Sequence, residues 1–198
     1  LVGSEMCIRD RFNIADVLEG EVEYFHKKTT DMLFMKQVAP SLGYASYPVN
    51  DGALVNKGVE FSLTAHLLDK QDYKFDFRVN GGYYKNRMTK MPIDETTGNE
   101  KPIEISTYYG WAKGHSLYDF YLREYAGVDP KTGNEMYYKN DGTNETTTLT
   151  FEAQKVIVGH HDPKVEGGLT NFVKWKFIDL NLTLTYSLGG KAVDYATW

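Results

Sequence analysis

The clearest signal along the chain is a strict alternation of apolar and polar residues that begins after Phe12. Three runs show it over their whole length, and charged or hydroxyl-bearing residues fill the positions between the apolar ones. Successive side chains of a β-strand point to opposite faces, so these runs predict strands with one apolar and one polar face. The apolar positions are Val59, Phe61, Leu63, Ala65 and Leu67; Tyr73, Phe75, Phe77 and Val79; and Ile178, Leu180, Leu182, Leu184, Tyr186 and Leu188.

The length of these runs narrows the fold class. A strand of a globular protein averages about 5–6 residues, whereas these patterns persist for roughly the 9–11 residues that a membrane β-strand needs. A lipid-facing exterior around a hydrated interior would produce the split between apolar and charged positions. A large β-sandwich with one solvated face would produce it as well. Alternation alone therefore leaves both architectures open.

The connections between the runs favour a barrel. Residues 68–72 and 174–176 form short polar turns, whereas the connections at about 27–56 and 88–164 are long and rich in Tyr, Gly, Thr and Asn. Outer-membrane barrels alternate short periplasmic turns with longer extracellular loops. A connection as long as the second one counts against a compact water-soluble domain. We therefore predict an all-β chain whose antiparallel strands form part of a transmembrane β-barrel with long extracellular loops.

Composition excludes several function classes. The chain has 198 residues with 22 Lys and Arg against 27 Asp and Glu, a net charge of −5, and this balance argues against nucleic-acid binding. A single cysteine, Cys7, excludes an intrachain disulfide framework and a cysteine-based zinc site. Aromatic residues reach 14%, which is consistent with an all-β protein.

The first eleven residues, 1–11, differ from the rest because no period of two is evident in them. They resemble a translated sequencing adapter, and we interpret them as a non-native leader that precedes a domain at 12–198. An ordinary frayed terminus is the alternative.

No constellation of residues indicates catalysis, a metal site or a cofactor. His160, His161 and Asp162 are adjacent, but neighbouring side chains on an extended chain point apart and no third ligand stands at a recognisable spacing. Glu21 and Glu23 share a strand face, as a glycosidase pair could, and we interpret them as lining a hydrated interior. We therefore expect that the protein is not an enzyme.

Aromatic residues in the predicted loops are the best candidates for contact with a substrate or a partner. Tyr108, Tyr109 and Trp111 lie within four residues of one another, and Tyr44 and Tyr47 lie in the first long loop. Exposed apolar surface of this kind is typical of binding sites. Packing of the loop against itself is the alternative, and the sequence does not choose between the two.

Four blocks of sequence, in order, resemble the SusC/RagA-type TonB-linked outer-membrane transporters. The resemblance runs from about Phe12 to Trp198, and Asp51 occupies a position where the family usually has Ile or Val. The blocks are Tyr24–Leu33, Gly43–Tyr47 with Asn50–Glu60, Gly127–Asn134, and Gly159 with Pro163, Lys164, Gly167 and Gly168.

This resemblance implies a 22-stranded barrel in the outer membrane of a Gram-negative bacterium, with a plug domain inside it. It further implies import of oligosaccharides or peptides, energy from the TonB complex, and a SusD-like lipoprotein as a lid. We expect the chain to be an internal piece of such a transporter. The alternatives are a soluble carbohydrate-binding β-sandwich and a small standalone barrel with a structural or adhesive role.

Overall fold

The structure, a computed structural model, describes residues 2–37, 43, 46–93, 98–100 and 102–193. All regular structure in this part of the chain is β, in agreement with the predicted class. Among the same residues, no helix is long and apolar enough to span a bilayer.

Six long strands form one antiparallel sheet in the order β1-β2-β3-β4-β12-β13. Five of them follow Phe12, where the alternation begins, and β1 adds a sixth. The first and last strands are the two edges, so the sheet is open. The strands are β1 Val2–Ile14, β2 Leu18–Gln37, β3 Ser46–Lys70, β4 Tyr73–Lys90, β12 Val165–Trp175 and β13 Ile178–Leu188.

The segment between β4 and β12, residues 91–164, is named the excursion, and its described residues form seven short strands. They form three small sheets, of order β10-β9-β8, β11-β7 and β5-β6. The described residues of the predicted loop at 88–164 therefore form a folded region of short antiparallel strands. Its strands are β5 Ile103–Glu104, β6 Gly110–Trp111, β7 Asp119–Leu122, β8 Tyr125–Val128, β9 Glu135–Tyr138, β10 Thr146–Thr147 and β11 Val156–His160.

The register of the large sheet confirms that the apolar and polar positions lie on opposite faces. Leu63 pairs with Val79, which pairs with Leu169, which pairs with Leu184, so apolar positions are aligned across four strands. The neighbouring row aligns Thr64, Arg78, Thr170 and Thr183. Paired residues project to the same side of a sheet. One face is therefore apolar and the other polar.

The apolar face is open where a β-sandwich would cover it. Leu180, Leu182 and Leu184 are 58%, 49% and 53% exposed, and the three small sheets belong to the excursion rather than to a second layer. A sandwich buries both inner faces against each other. For the part of the chain that the structure describes, the sandwich alternative is wrong.

The two predicted short turns are confirmed. β3 ends at Lys70 and β4 begins at Tyr73, while β12 ends at Trp175 and β13 begins at Ile178. Lys176 adopts a left-handed conformation with φ of 57°, which suits a tight connection between paired strands.

The prediction of a long loop at about 27–56 is wrong for most of its length. β2 continues to residue 37 and β3 begins at residue 46, and the two pair almost throughout. A bulge interrupts the register between Thr29 and Leu33, and Asp31 in it has a φ of 56°. This bulge and the polar run around it break the apolar alternation. The backbone hydrogen bonds nevertheless continue on both sides of the bulge, because they do not depend on the alternation.

Residues 2–11 are part of β1, which pairs with β2 along its whole length. Register places Met6, Ile8 and Phe12 with the apolar face, so a period of two exists there although Asp10 interrupts it. A backbone ladder tolerates many sequences because its hydrogen bonds need no particular side chains. The interpretation of 1–11 as a non-native leader stays a prediction, since strand pairing does not test it.

Glycines of the large sheet accommodate aromatic side chains of neighbouring strands. A Cβ at Gly167 would meet the Asn80 carbonyl oxygen and lie 2.5 Å from the Tyr186 hydroxyl oxygen, and one at Gly81 would lie 2.7 Å from the same hydroxyl. The Tyr186 hydroxyl donates a hydrogen bond to the Asn80 carbonyl at 3.0 Å. The ring therefore lies over bare backbone, which fills the space that glycine leaves in a sheet.

The apolar core lies at the excursion end of the sheet. Met88 and Met91 are 0% and 1% exposed and form a cluster with Phe34 and Leu54. Trp111, Ile103 and Leu117 of the excursion pack against this cluster. The far ends of β2, β3 and β4 thus fold together with the excursion, and this attachment positions the loop residues considered below.

Gly167→Ala should destabilise the sheet by about 1–3 kcal/mol, because the new methyl group meets backbone on one side and Tyr186 on the other. Gly82→Ala is the matched control, since a Cβ there has only the Glu60 Cγ at 3.6 Å. Thermal unfolding of the full-length protein in detergent measures both. Equal midpoints for the two variants would contradict the packing role of Gly167.

Candidate functional site

The polar face carries a cluster of carboxylates that surround a shallow recess. Glu23 pairs with Glu60 in register, and Glu60, Gly82 and Glu166 continue the same row across three strands. Glu21 lies in the next row, and all four glutamates line the recess together with Tyr84. The Tyr84 hydroxyl donates to the Glu166 carboxylate at 3.3 Å. A hydrated interior suits such a cluster, because water screens the repulsion between like charges.

Basic residues on neighbouring strands neutralise part of this charge. Arg9 lies 3.0 Å from the Glu21 carboxylate and also contacts Glu23, while Arg11 lies 2.8 Å from Glu21. Further along the polar face, the His66 Nδ1 atom lies 2.7 Å from the Asp76 carboxylate. The predicted interpretation of Glu21 and Glu23 as part of a polar lining agrees with these contacts.

A polar network attaches the excursion to the sheet. The Asn86 side-chain amide donates to the Asn56 side-chain oxygen across β3 and β4. The Asn86 side-chain oxygen accepts from the Leu117 N–H at 2.9 Å and from the Ser116 hydroxyl at 3.4 Å. The Met88 N–H donates to the His115 carbonyl at 2.8 Å. The segment around Ser116 is therefore tied to the end of β4.

Asp119 joins the segment around Ser116 to the end of the excursion. Its side chain is 9% exposed, and one oxygen lies 2.7 Å from the His160 Nδ1 atom. The other oxygen lies 3.0 Å from the His115 Nδ1 atom and accepts from the Ser116 N–H at 3.2 Å. A buried carboxylate is stable only when its oxygens are satisfied in this way. This cluster had no recognisable sequence signal, because Asp119 and His160 meet only through the pairing of β7 with β11.

Trp111, one of the predicted contact residues, packs inside the excursion. Its ring meets the Phe34 ring edge to face, with centroids 5.5 Å apart and planes at 86°. Its Nε1 atom donates to the Leu117 carbonyl at 3.2 Å. Half-buried in this way, the indole joins the excursion to β2.

Tyr108 and Tyr109 lie beside β7. The Tyr109 ring stacks on Phe120 with centroids 5.1 Å apart, and its edge approaches His161 at 6.2 Å. The Tyr108 carbonyl accepts a hydrogen bond from the Tyr121 N–H at 2.8 Å. Both tyrosines are half-buried, so each retains surface that a ligand or a partner could reach.

Tyr44 and Tyr47 complete the predicted set. Tyr47 lies in β3, where it pairs with residue 36 of β2, and its side chain is half-buried. Tyr44 lies outside the described residues. The structure gives Trp111 and Tyr109 different packing partners, and a joint site of the five aromatic residues remains a prediction.

The third sequence block forms the turn between β8 and β9. The Asp129 carboxylate accepts from the Thr132 hydroxyl at 2.6 Å and the Lys131 N–H at 3.0 Å, and Gly133 has a φ of 74°. Both hydrogen bonds lower the pKa of the Asp129 carboxyl, and the one from the Thr132 hydroxyl has the larger effect. The block therefore forms a turn that its own hydrogen bonds stabilise.

Metal binding is not indicated by the described residues, none of which form a group of three or more suitable ligands. His160 and His161 are both directed elsewhere, the first to Asp119 and the second to Asp162 at 3.4 Å. The two imidazoles therefore have different acidic partners.

Known proteins are similar to this chain in sequence and in backbone structure. The chain is 29% identical to TonB-dependent receptor P3 of Formosa agariphila over 201 residues, which cover 90% of this chain and 19% of that protein. The structure of the RagAB peptide transporter matches 93% of this chain with a TM-score of 0.73 and 25% identity. The RagAB peptide importer in its closed-closed state matches 95% with a TM-score of 0.75 and 26% identity.

The SusC/RagA-type resemblance is confirmed. No family model matches the chain. The matched proteins are named as receptors and transporters rather than enzymes. The chain spans about a fifth of the length of these proteins, and its six-stranded sheet does not close a barrel by itself.

The departure from the family pattern at Asp51 has a structural explanation. Asp51 forms an ion pair with the Lys90 side chain of β4. The pKa of Lys90 is raised, mainly because its ammonium group donates a hydrogen bond to Asp51. Ala53, next to this pair, is opposite Lys90 in the register. An ion pair between neighbouring strands thus replaces the apolar residue that the family usually has.

Asp119→Ala should loosen the excursion, because it removes both histidine contacts and leaves the buried Ser116 N–H without its acceptor, at a cost of about 1–3 kcal/mol. We expect limited proteolysis of the full-length protein to cut residues 91–164 faster. Glu124→Ala, which truncates an exposed carboxylate of the same excursion, should leave the rate unchanged. Equal rates in both variants would show that Asp119 does not hold the excursion together.

Proposed function

We propose that this chain is part of an outer-membrane transporter that imports a nutrient, an oligosaccharide or a peptide, with energy from the TonB complex and a SusD-like lipoprotein as a lid. The observation that carries the proposal is the two-faced sheet, in a chain that is similar over 90% of its length to a TonB-dependent receptor. An apolar face suits lipid and a polar face suits a hydrated lumen. The names of the RagAB structures favour a peptide as the substrate.

The excursion is the part of this chain that we propose to meet the lid and the substrate. It begins after β4, at the end of the sheet where β2 and β3 are also connected, and opposite to the two short turns. In outer-membrane barrels the longer connections face the outside. The side chains proposed for contact are those of Tyr44, Tyr47, Tyr108, Tyr109 and Trp111.

Trp111 contributes differently from the tyrosines in this proposal. Its contacts with Phe34 and Leu117 hold the excursion against β2, whereas Tyr108 and Tyr109 lie half-buried beside β7. Aromatic residues dominate interface hot spots, since a rigid ring buries a large area on contact. The two tyrosines are therefore the residues whose truncation separates binding from folding.

A transport assay tests the proposed function directly. Cells that lack the full-length gene should lose uptake of a labelled peptide or oligosaccharide mixture, and cells that carry the gene should lose the same uptake when the proton gradient is dissipated. Comparing the two mixtures assigns the substrate class. Uptake that persists without the gene would contradict the proposal.

Leu182→Arg should destabilise the membrane-inserted state of the full-length protein by about 2–4 kcal/mol and so impair its assembly. A charge at the bilayer midplane on the lipid face loses its hydration. Leu182 lies in the row of Phe77, midway along β4. Thr183→Arg, one position away on the polar face, is the control and should assemble normally. The yield of folded protein in isolated outer membranes measures both, and equal yields would argue against a lipid-facing apolar side.

Tyr108→Ala combined with Tyr109→Ala should weaken lid binding or substrate uptake while barrel assembly stays intact, with a loss of about 2 kcal/mol if the rings form a hot spot. Co-purification of the lid lipoprotein and uptake rates measure the effect. Trp111→Ala is the comparison, since it should instead increase proteolysis of the excursion. Normal uptake and lid retention in the tyrosine variant would assign the cluster to packing.

A further inference from the structure

A row of basic residues crosses three adjacent strands on the apolar side of the sheet. Register aligns His26 of β2 with Lys57 of β3 and Lys57 with Lys85 of β4. The next row aligns Lys28, Val55 and Arg87. No acidic residue occupies either row. We name these five side chains, His26, Lys28, Lys57, Lys85 and Arg87, the basic belt.

The belt begins where an apolar band ends. Directly below it, Tyr24 pairs with Val59 and Val59 with Tyr83, and Tyr24 and Tyr83 are 37% and 48% exposed. At the other end of the band, Tyr73 pairs with Trp175, which is 58% exposed. Tyrosine and tryptophan concentrate at both membrane–water interfaces of barrels. The apolar face therefore carries an aromatic row at each of its two boundaries.

The distance between the two aromatic rows fits a bilayer. Ten residues separate Tyr73 from Tyr83 along β4, which is about 33 Å at the usual rise of a strand. A strand tilt of about 35–45° reduces this to a height of about 23–27 Å, close to the apolar band of about 25 Å of outer-membrane barrels. The belt then lies just outside the hydrocarbon, at the depth of the lipid headgroups.

The charges of the belt are not compensated within the part of the chain that the structure describes. None of the five side chains makes an ion pair there, although Lys27, on the opposite face of β2, lies 3.6 Å from the Glu5 carboxylate. Like charges on directly opposite residues of adjacent strands repel each other. An anion from outside the chain would remove this repulsion, and Lys and Arg are the residues that bind phosphate.

We propose that the basic belt binds the phosphate groups of membrane lipids in the leaflet at the excursion end. This inference rests on the proposed membrane location. Lipid is the occupant because the belt continues the same face as the apolar band, so it points sideways into the headgroup layer. The long side chains reach from the strands to that layer. A lid protein would instead meet the connections beyond the strand ends.

Lipid binding by the full-length protein tests the proposal. The purified protein is reconstituted in nanodiscs of phosphatidylcholine doped with lipid A, or with lipid A from which the phosphates have been removed. We expect Lys57→Gln combined with Lys85→Gln to lower the affinity for phosphorylated lipid A by about tenfold, because two charge-assisted contacts are lost. Lys27→Gln combined with Lys74→Gln removes the same charge from the polar face and should leave the affinity unchanged.

Three outcomes would overturn the inference. Equal affinity in the two double variants would show that the belt is not the site, and equal retention of dephosphorylated lipid A would show that phosphate is not recognised. A Lys57→Gln, Lys85→Gln protein that keeps its lipid affinity but loses an acidic protein partner would assign the belt to that partner.

A labelling control separates failure of this inference from failure of the proposed function. In a Cys7→Ser background, Phe77→Cys in the apolar band should resist a membrane-impermeant maleimide, and Arg87→Cys in the belt should react. Protection of Phe77→Cys without phosphate-dependent binding would overturn the belt alone. Rapid labelling of Phe77→Cys would contradict the membrane location and the belt together.

Discussion

The backbone ladder of the six long strands is the constraint on which the rest of this structure depends. Each strand pairs with its neighbours in antiparallel register, so the polar groups of the main chain are satisfied without help from solvent along the inner strands. In a hydrocarbon environment this condition is strict, because an unpaired peptide group there costs several kcal/mol. The same register also sorts side chains, since a shift of one residue would move every apolar group to the other face.

The two faces of the sheet follow from that register, and they differ in the side chains that they carry. The apolar face has exposed leucines and aromatic rows at its boundaries, whereas the polar face has paired charges around a recess lined by glutamates. Between the short turns and the excursion end, the described part of the sheet has no buried apolar cluster. Close packing between strands is achieved locally instead, where rings such as Tyr186 lie over glycine backbone.

The only buried apolar cluster among the described residues, formed by Phe34, Leu54, Met88 and Met91, lies at the excursion end. This placement explains how a long connection keeps a defined shape. A connection of this length has a large conformational entropy to lose on ordering, and the buried methionines together with the contacts of Asp119 offset that loss. Trp111 packs against the same cluster, whereas Tyr108 and Tyr109 lie beside β7.

What the sequence by itself determined is the part that depends on a period of two. Phe61, Leu63, Phe77 and Leu182 are on one face because alternation is a local property of extended chain, and the short turns next to Lys70 and Trp175 are equally local. The continued pairing of β2 with β3 past Thr29 was not predictable, since a bulge at Asp31 breaks the alternation while the ladder persists. Tertiary structure alone brought Asp119 to His160 and aligned His26, Lys57 and Lys85, because these contacts depend on which strands pair and in which register. Side-chain pattern fixes the face of a residue, whereas strand pairing decides its neighbours.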